Sequence, residues 1–293
     1  MENQSPQRVA VITGASSGIG KEAAKLLVAQ GWRVIGIGRN AERCERAKAE
    51  IAQQAQSSHQ VTMIRANLSL MAETERACDE IAALADRVDI LLNNAGGVVK
   101  TRQITPEGNE STFAGNHLGH FLLTRRLLPL LRAAAVACGT GATRVVNVSS
   151  AAHLMCEGLD WNDLQMVDNY QSGVAYCRAK FANVLFTREL ARRLAGDGIV
   201  VHAMHPGIVD SNFINHADEM MQNSLRSKRD QWITPQAAAE ALVWLATAEA
   251  PGEMSGEYFY DRAIAAVNPA ALDEEAARRL WQESENLLAS ISS

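Results

Sequence analysis

Val9-Ala-Val-Ile-Thr13-Gly14-Ala15-Ser16-Ser17-Gly18-Ile19-Gly20-Lys21 decides how the rest of the chain is read. A β-branched apolar run passes directly into three glycines spaced GxxxGxG, and these open an alanine- and leucine-rich stretch, Ile19 to Gln30, that stops at Gly31. The pattern predicts a strand, a tight turn and a helix. Glycines in such a turn let the backbone bend sharply, approach a pyrophosphate and pack helix on strand, while the helix N-terminus offers unpaired N–H groups to the anion. The spacing differs from the commoner GxGxxG, and a glycine triplet alone is a weak signal. Its position between strand and helix makes Gly14, Ser16, Ser17, Gly18, Ile19 and Gly20 candidate dinucleotide contacts.

The same alternation continues outward. Val34–Ile37, Val61–Ile64, Ile90–Leu92, Val145–Val148, Ile199–His202 and Tyr258–Tyr260 read as further strands, continuous rather than alternating in apolarity, as parallel strands covered on both faces are. Between them Ala41–Gln54, Leu70–Ala85, Asn109–Ala137 and Gly173–Leu194 carry helical spacing. This rhythm predicts one doubly wound α/β domain of Rossmann type over residues 1–293, with a seven-stranded parallel sheet. Two segments stand outside it. Residues 208–232 follow the sixth strand and mix Ile208, Val209, Phe213, Ile214, Met220, Met221 and Trp232 with Arg226, Lys228 and Arg229, which suggests a substrate lid. The methionines and Trp232 suit a pocket wall and a core cover equally. Thr234-Pro235 then starts a helix as N-cap and first turn, and residues 265–293 form a helical extension with Leu280, Trp281 and Leu287 on its apolar side.

Composition narrows the partners. The 293 residues carry 28 Lys+Arg and 33 Asp+Glu, a net charge of −5, so the basic excess that grips nucleic acid or anionic lipid is missing. Five cysteines without a CxxC pair read as reduced thiols. The polar start, Met1 to Arg8, leaves no room for a signal segment, and the leucine-rich run Phe121–Leu131 is broken by Arg125 and Arg126. A cytoplasmic protein without membrane anchor is expected. His117 and His120 lack an acidic residue completing a metal site, so packing or hydrogen bonding is expected of them and no metal. Cys177 reads as a small core-facing residue.

Three further motifs carry chemistry. Asn93-Asn94-Ala95-Gly96 follows the fourth strand, Ser149-Ser150 ends the fifth, and Tyr176-Cys-Arg-Ala-Lys180 lies on a helix. Residues four apart share a helix face, so Tyr176 and Lys180 project together. A neighbouring ammonium favours the phenolate of a group whose ordinary pKa is about 10, and a shift of about three units needs ~4 kcal/mol. Taken singly, each motif also fits a bland reading: a turn, or a packed tyrosine beside a solvated lysine.

In this order, TGASSGIG at 13–20, NNAG at 93–96, Ser150, Tyr176 and Lys180 resemble the short-chain dehydrogenase/reductase superfamily over essentially the whole chain. His117–Thr124, Arg144–His153, Ala182–Leu190, His205-Pro-Gly207 and the Arg279-Leu-Trp281 helix resemble the branch of retinol dehydrogenases and the WW-domain oxidoreductase. The resemblance implies an enzyme that interconverts a carbonyl and an alcohol on a hydrophobic small molecule. In it Tyr176 is general acid or base, and Lys180 holds the nicotinamide ribose and lowers the phenol pKa. Ser150 is the donor to the substrate oxygen, and Asn116 supports a relay water through its backbone. It also places Asn67, Leu68, Asn94, Ala95, Gly96, Pro206, Gly207 and Val209 at the cofactor. Asn67 stands where an Asp is usual and Val209 where a Thr is usual, so those contacts depart from the pattern.

Cofactor choice rests on Arg39, 19 residues beyond Gly20, where NAD-selective folds carry an acid for the ribose 2′-OH. With Gly38 before it, Arg39 predicts NADP(H) over NAD(H), and reduction is the expected direction. The long helices Asn109–Ala137 and Gly173–Leu194 are candidates for a two-fold interface in a homodimer or homotetramer. A silent dinucleotide sensor or scaffold is the rival from another class, opposed by the complete Ser150, Tyr176 and Lys180 set. An epimerase or dehydratase on the same fold is the rival among enzymes.

Overall fold

The computed structural model describes residues 7–210 and 217–291. From the N-terminus run β1 (Val9–Thr13), α1 (Gly18–Ala29), β2 (Arg33–Gly38), α2 (Ala41–Ala52), β3 (Val61–Arg65), α3 (Met71–Leu84) and β4 (Ile90–Asn93). Next come α4 (Ser111–Phe113), a π-helical stretch Ala114–Leu118, α5 (Gly119–Cys138), β5 (Thr143–Val148), α6 (Ser172–Arg193) and β6 (Ile199–His205). The chain closes with β7 (Ile208–Val209), α7 (Glu219–Arg226), β8 (Trp232–Ile233), α8 (Pro235–Thr247), β9 (Tyr258–Tyr260), β10 (Ala263–Ile264) and α9 (Glu274–Ile291).

The main sheet has the order β10-β9-β6-β5-β4-β1-β2-β3. Its seven expected strands are all parallel, and the eighth, β10, is a two-residue antiparallel addition joined to β9 through Asp261 and Arg262, both at positive φ. That two-residue turn with left-handed backbone matches the twist of a tight hairpin, and no Asn-Gly pair announced it. Neighbouring residues of each strand enter opposite cores. Val11, Ile35, Leu91 and Val145 face α3, α5, α6 and α9, whereas Ile12, Val34, Leu92 and Val146 face α1, α2 and α8. Both faces are therefore covered, which is why the strands read as continuous apolar runs.

Helix ends follow the local signals. Gly31 leaves α1 at φ 85°, and the Thr234 hydroxyl accepts the Ala237 N–H at 3.1 Å ahead of Pro235. The N-cap of α1 is Ser17, whose side chain makes no capping bond, so the first-turn amides stay open.

The C-terminal helix docks on the two long helices. Trp281 of α9 packs edge-on to Phe121 of α5 at 4.9 Å between ring centroids and lies 6.0 Å from Phe186 of α6, while Arg193 sits 4.2 Å over its ring. Ser284 meets His117 at 3.0 Å and Glu285 pairs with Arg125 at 3.2 Å. Part of the α5–α6 face proposed for a second copy is thus covered by the chain's own α9. No helix among the described residues is long and apolar enough to cross a membrane.

Candidate active site

Strand order reverses at β1, which pairs with β2 on one side and β4 on the other. Crossovers leave in opposite directions there, and the crevice between them at the carboxyl ends of the strands is where ligands of open α/β sheets bind. The glycine turn after β1 and Asn94-Ala95-Gly96 after β4 both line that crevice, a cleft of about 2550 Å³. Every predicted site residue opens onto it except Gly20. A Cβ on Gly20 would fall 2.5 Å from the Gly14 carbonyl oxygen and 2.6 Å from Asn94 Nδ2, so this glycine packs α1 against the turn from behind.

Thr13 locks the two turns together. Its Oγ1 accepts the N–H of Asn94 at 2.9 Å and of Ala95 at 2.8 Å, and Asn94 Nδ2 returns a bond to the Thr13 carbonyl at 2.8 Å. Farther along the cleft, Asn67 uses its amide oxygen on Ser69, from which it accepts Oγ–H at 2.9 Å, so the departure from Asp leaves the Nδ2 donors. Val209 belongs to β7, whose pairing with β8 closes the base of the expected lid. Of that segment, Phe213 and Ile214 lie outside the described residues. Met220, Met221 and Trp232 line the cleft, and α7 buries none of its residues.

On the opposite wall, β5 ends in Ser149 and Ser150, and α6 carries Tyr176 and Lys180. Ser150 bonds to the phenol of Tyr176. The Ser150 carbonyl accepts from His153 Nδ1 at 2.7 Å, and His153 Nε2 in turn accepts the Asn268 N–H at 3.3 Å. This clamp, from residues the sequence reading did not single out, holds the turn carrying Ser150. Lys180 Nζ donates to the Val148 carbonyl at 2.9 Å and lies 5.6 Å from the Tyr176 ring centroid. A Cβ on Gly96 would stand 3.1 Å from Nζ, which brings the third motif to the same point.

Burial dominates the electrostatics of the two side chains. Burial pushes the Tyr176 phenol above its ordinary value, with the Ser150 bond drawing it back only in part. Burial also lowers Lys180 to about 8. Desolvation is thus the first cause of both shifts.

Asn116 sits in the π-helical stretch, a wide turn of the kind that recurs at functional sites. Its side chain bridges Gly97, donating to the carbonyl at 2.8 Å and accepting the N–H at 3.1 Å. Its backbone carbonyl accepts Asn183 Nδ2 at 3.0 Å and lies 3.1 Å from His120 Nδ1, so two side chains meet the group assigned to a relay water. His117 and His120 are buried and hydrogen-bonded. Cys177 is buried as well, with its thiol pushed up to about 11. Among the described residues no cluster of three or more His, Cys, Asp or Glu is disposed to hold a metal ion.

Known proteins are similar to this chain over most of its length. The sequence pattern of the family described as short chain dehydrogenase matches residues 8–222. Retinol dehydrogenase 13 of Homo sapiens is 38% identical over 291 residues, covering 97% of this chain and 85% of the human protein. The Pseudomonas aeruginosa RhlG/NADP active-site complex superposes with a TM-score of 0.69 at 28% identity, over 90% of this chain and 96% of that one. The 3-ketoacyl-(acyl-carrier-protein) reductase of Brucella melitensis, complexed with NADH, gives 0.66 at 25% identity, over 86% and 95%.

Proposed function

The chain belongs to the short chain dehydrogenase family, in its retinol dehydrogenase-like branch, and from that premise we propose that it is an NADP(H)-dependent reductase of ketones or aldehydes on a hydrophobic small molecule. The observation that carries this reading is the convergence of Ser150, Tyr176 and Lys180 on the cleft that the glycine turn lines.

The cleft suits a dinucleotide by its own geometry. Open first-turn amides of α1 receive an anion, and the close packing at Gly20 leaves the turn free of side-chain bulk. A nicotinamide bound there supplies and accepts the hydride. Tyr176 then hands its phenolic proton to the carbonyl oxygen as that oxygen gains charge, and takes it back in the oxidative direction. Ser150 donates to the same oxygen, held in place by the His153 bond to its carbonyl. The buried Lys180 ammonium lies beside the ring, where it opposes the burial penalty on the phenolate.

Arg39 supports the choice of NADP(H). It lines the cleft, is exposed, and follows Gly38, where a Cβ would strike Cys44 Sγ at 2.7 Å and Ser16 Oγ at 2.9 Å. A guanidinium at that place offers paired donors to a 2′-phosphate. The neighbours named above hold different dinucleotides, so the preference rests on this residue. Exposed Leu154, Met155 and Met220 at the cleft support an apolar substrate. Five unpaired cysteines support a reducing, cytoplasmic setting.

Tyr176→Phe tests the assignment. Following NADPH absorbance with a panel of ketones and aldehydes, turnover falls at least about a thousandfold while dinucleotide Kd stays within about threefold. Wild-type turnover in the Phe variant eliminates the mechanism.

A further inference from the structure

His120 lies one helical turn beyond Asn116, and both of its ring nitrogens have a partner. Its Nδ1 is 3.1 Å from the Asn116 carbonyl and its Nε2 is 2.9 Å from Thr13 Oγ1. A carbonyl only accepts, so Nδ1 carries the hydrogen. Thr13 Oγ1 already accepts two N–H groups, from Asn94 and Ala95, which fills its lone pairs and leaves only its own hydrogen to give. The Nε2 lone pair receives that hydrogen at 2.9 Å, in preference to the Leu92 carbonyl at 3.3 Å.

We propose that His120 is a positioning residue, fixed as the neutral Nδ1–H tautomer, that ties the Asn94–Ala95 turn through Thr13 to the Asn116 carbonyl. Held by His120 and Asn183, that carbonyl anchors the active-site helix. Charging the ring is opposed twice. An Nε2–H would face an oxygen with no lone pair left, and burial together with Lys180 lowers His120 to about 3, with neutral His117 the other titratable group beside it.

The effect on kcat rests on the reductase reading; the tautomer does not. In 15N-histidine NMR of the wild-type protein, His120 shows the Nδ1–H pattern, unchanged from about pH 5 to about pH 9. An Nε2–H pattern, or titration within that range, overturns the proposal whether or not a substrate has been found. Variants then test the positioning. His120→Leu loses both bonds and lowers kcat about tenfold; His120→Asn, whose amide N–H stands near the place of Nδ1–H, restores kcat to within about threefold of wild type. Equal kcat in the two variants, at whatever thermal stability, overturns the positioning role. A Tyr176→Phe enzyme that keeps full turnover refutes the reductase mechanism and leaves the tautomer result standing.

Discussion

Lys180→Met makes the protein more stable while removing its activity. Lys180 is 3% exposed, and burial lowers its pKa from 10.5 to about 8. At about 1.36 kcal/mol per unit, holding the ammonium in the fold costs about 3 kcal/mol at neutral pH. Methionine has nearly the same length and no charge, so the variant escapes that cost. It loses the bond to the Val148 carbonyl, about 1 kcal/mol, for a net gain of about 2 kcal/mol. A chain of 293 residues unfolds with an entropy of about 0.6 kcal/mol/K, so the melting temperature rises by about 3 °C at pH 7.

The difference must also depend on pH with a definite sign. Above about 8 the native lysine has lost its proton while the unfolded one keeps it up to about 10.5, so the unfolded state binds more protons and wild-type stability rises with pH. The gain of the Met variant therefore shrinks between about pH 8 and about pH 10. Taking the difference between two proteins cancels the other titrating groups. Calorimetry of both at several pH values measures it. A Met variant less stable than wild type at pH 7, or a gap that stays constant across this window, refutes the reasoning that Lys180 is held against a desolvation cost.

The other expectations concern separate parts of the molecule. Wild-type enzyme prefers NADPH over NADH by at least about tenfold in kcat/KM, or ~1.4 kcal/mol, and Arg39→Asp reverses the preference; an unchanged ratio removes Arg39 from phosphate recognition. Trp281→Ala lowers stability by about 4 kcal/mol through the cavity it leaves against Phe121 and Phe186, read as a fall of about 6 °C, with dinucleotide Kd within threefold because α9 does not line the cleft. A fall of less than about 1 °C would mean that α9 is not docked as described. Amides of α7, which buries no side chain, gain hydrogen-exchange protection when dinucleotide and substrate are both present; equal protection in all states refutes a lid role for that helix.

Much of this protein is local, and so could be read from residues in a row. All seven parallel strands, the Gly31 stop and the Thr234-Pro235 start depend on backbone preferences and on burial of both sheet faces, which leave continuous apolar runs and punctuation in the sequence. The candidate site was legible for the same reason. Its residues sit at strand ends and on one helix face, and their order along the chain fixes which end of the sheet they reach.

What tertiary structure alone decided lies in contacts between distant residues. That Trp281 covers α5 and α6 needs 160 positions to be closed between it and Phe121, and an amphipathic helix says that it will pack without saying on what. The direction of the Tyr176 shift depends on how deep the phenol lies, which the spacing to Lys180 does not encode. His120 is legible only as a buried histidine until Thr13, 107 residues away, and the Asn116 carbonyl are placed on either side of its ring. Hydrogen bonds are directional, and a ring nitrogen's role is set by the partner it faces; sequence carries the donors and acceptors, and the fold alone pairs them.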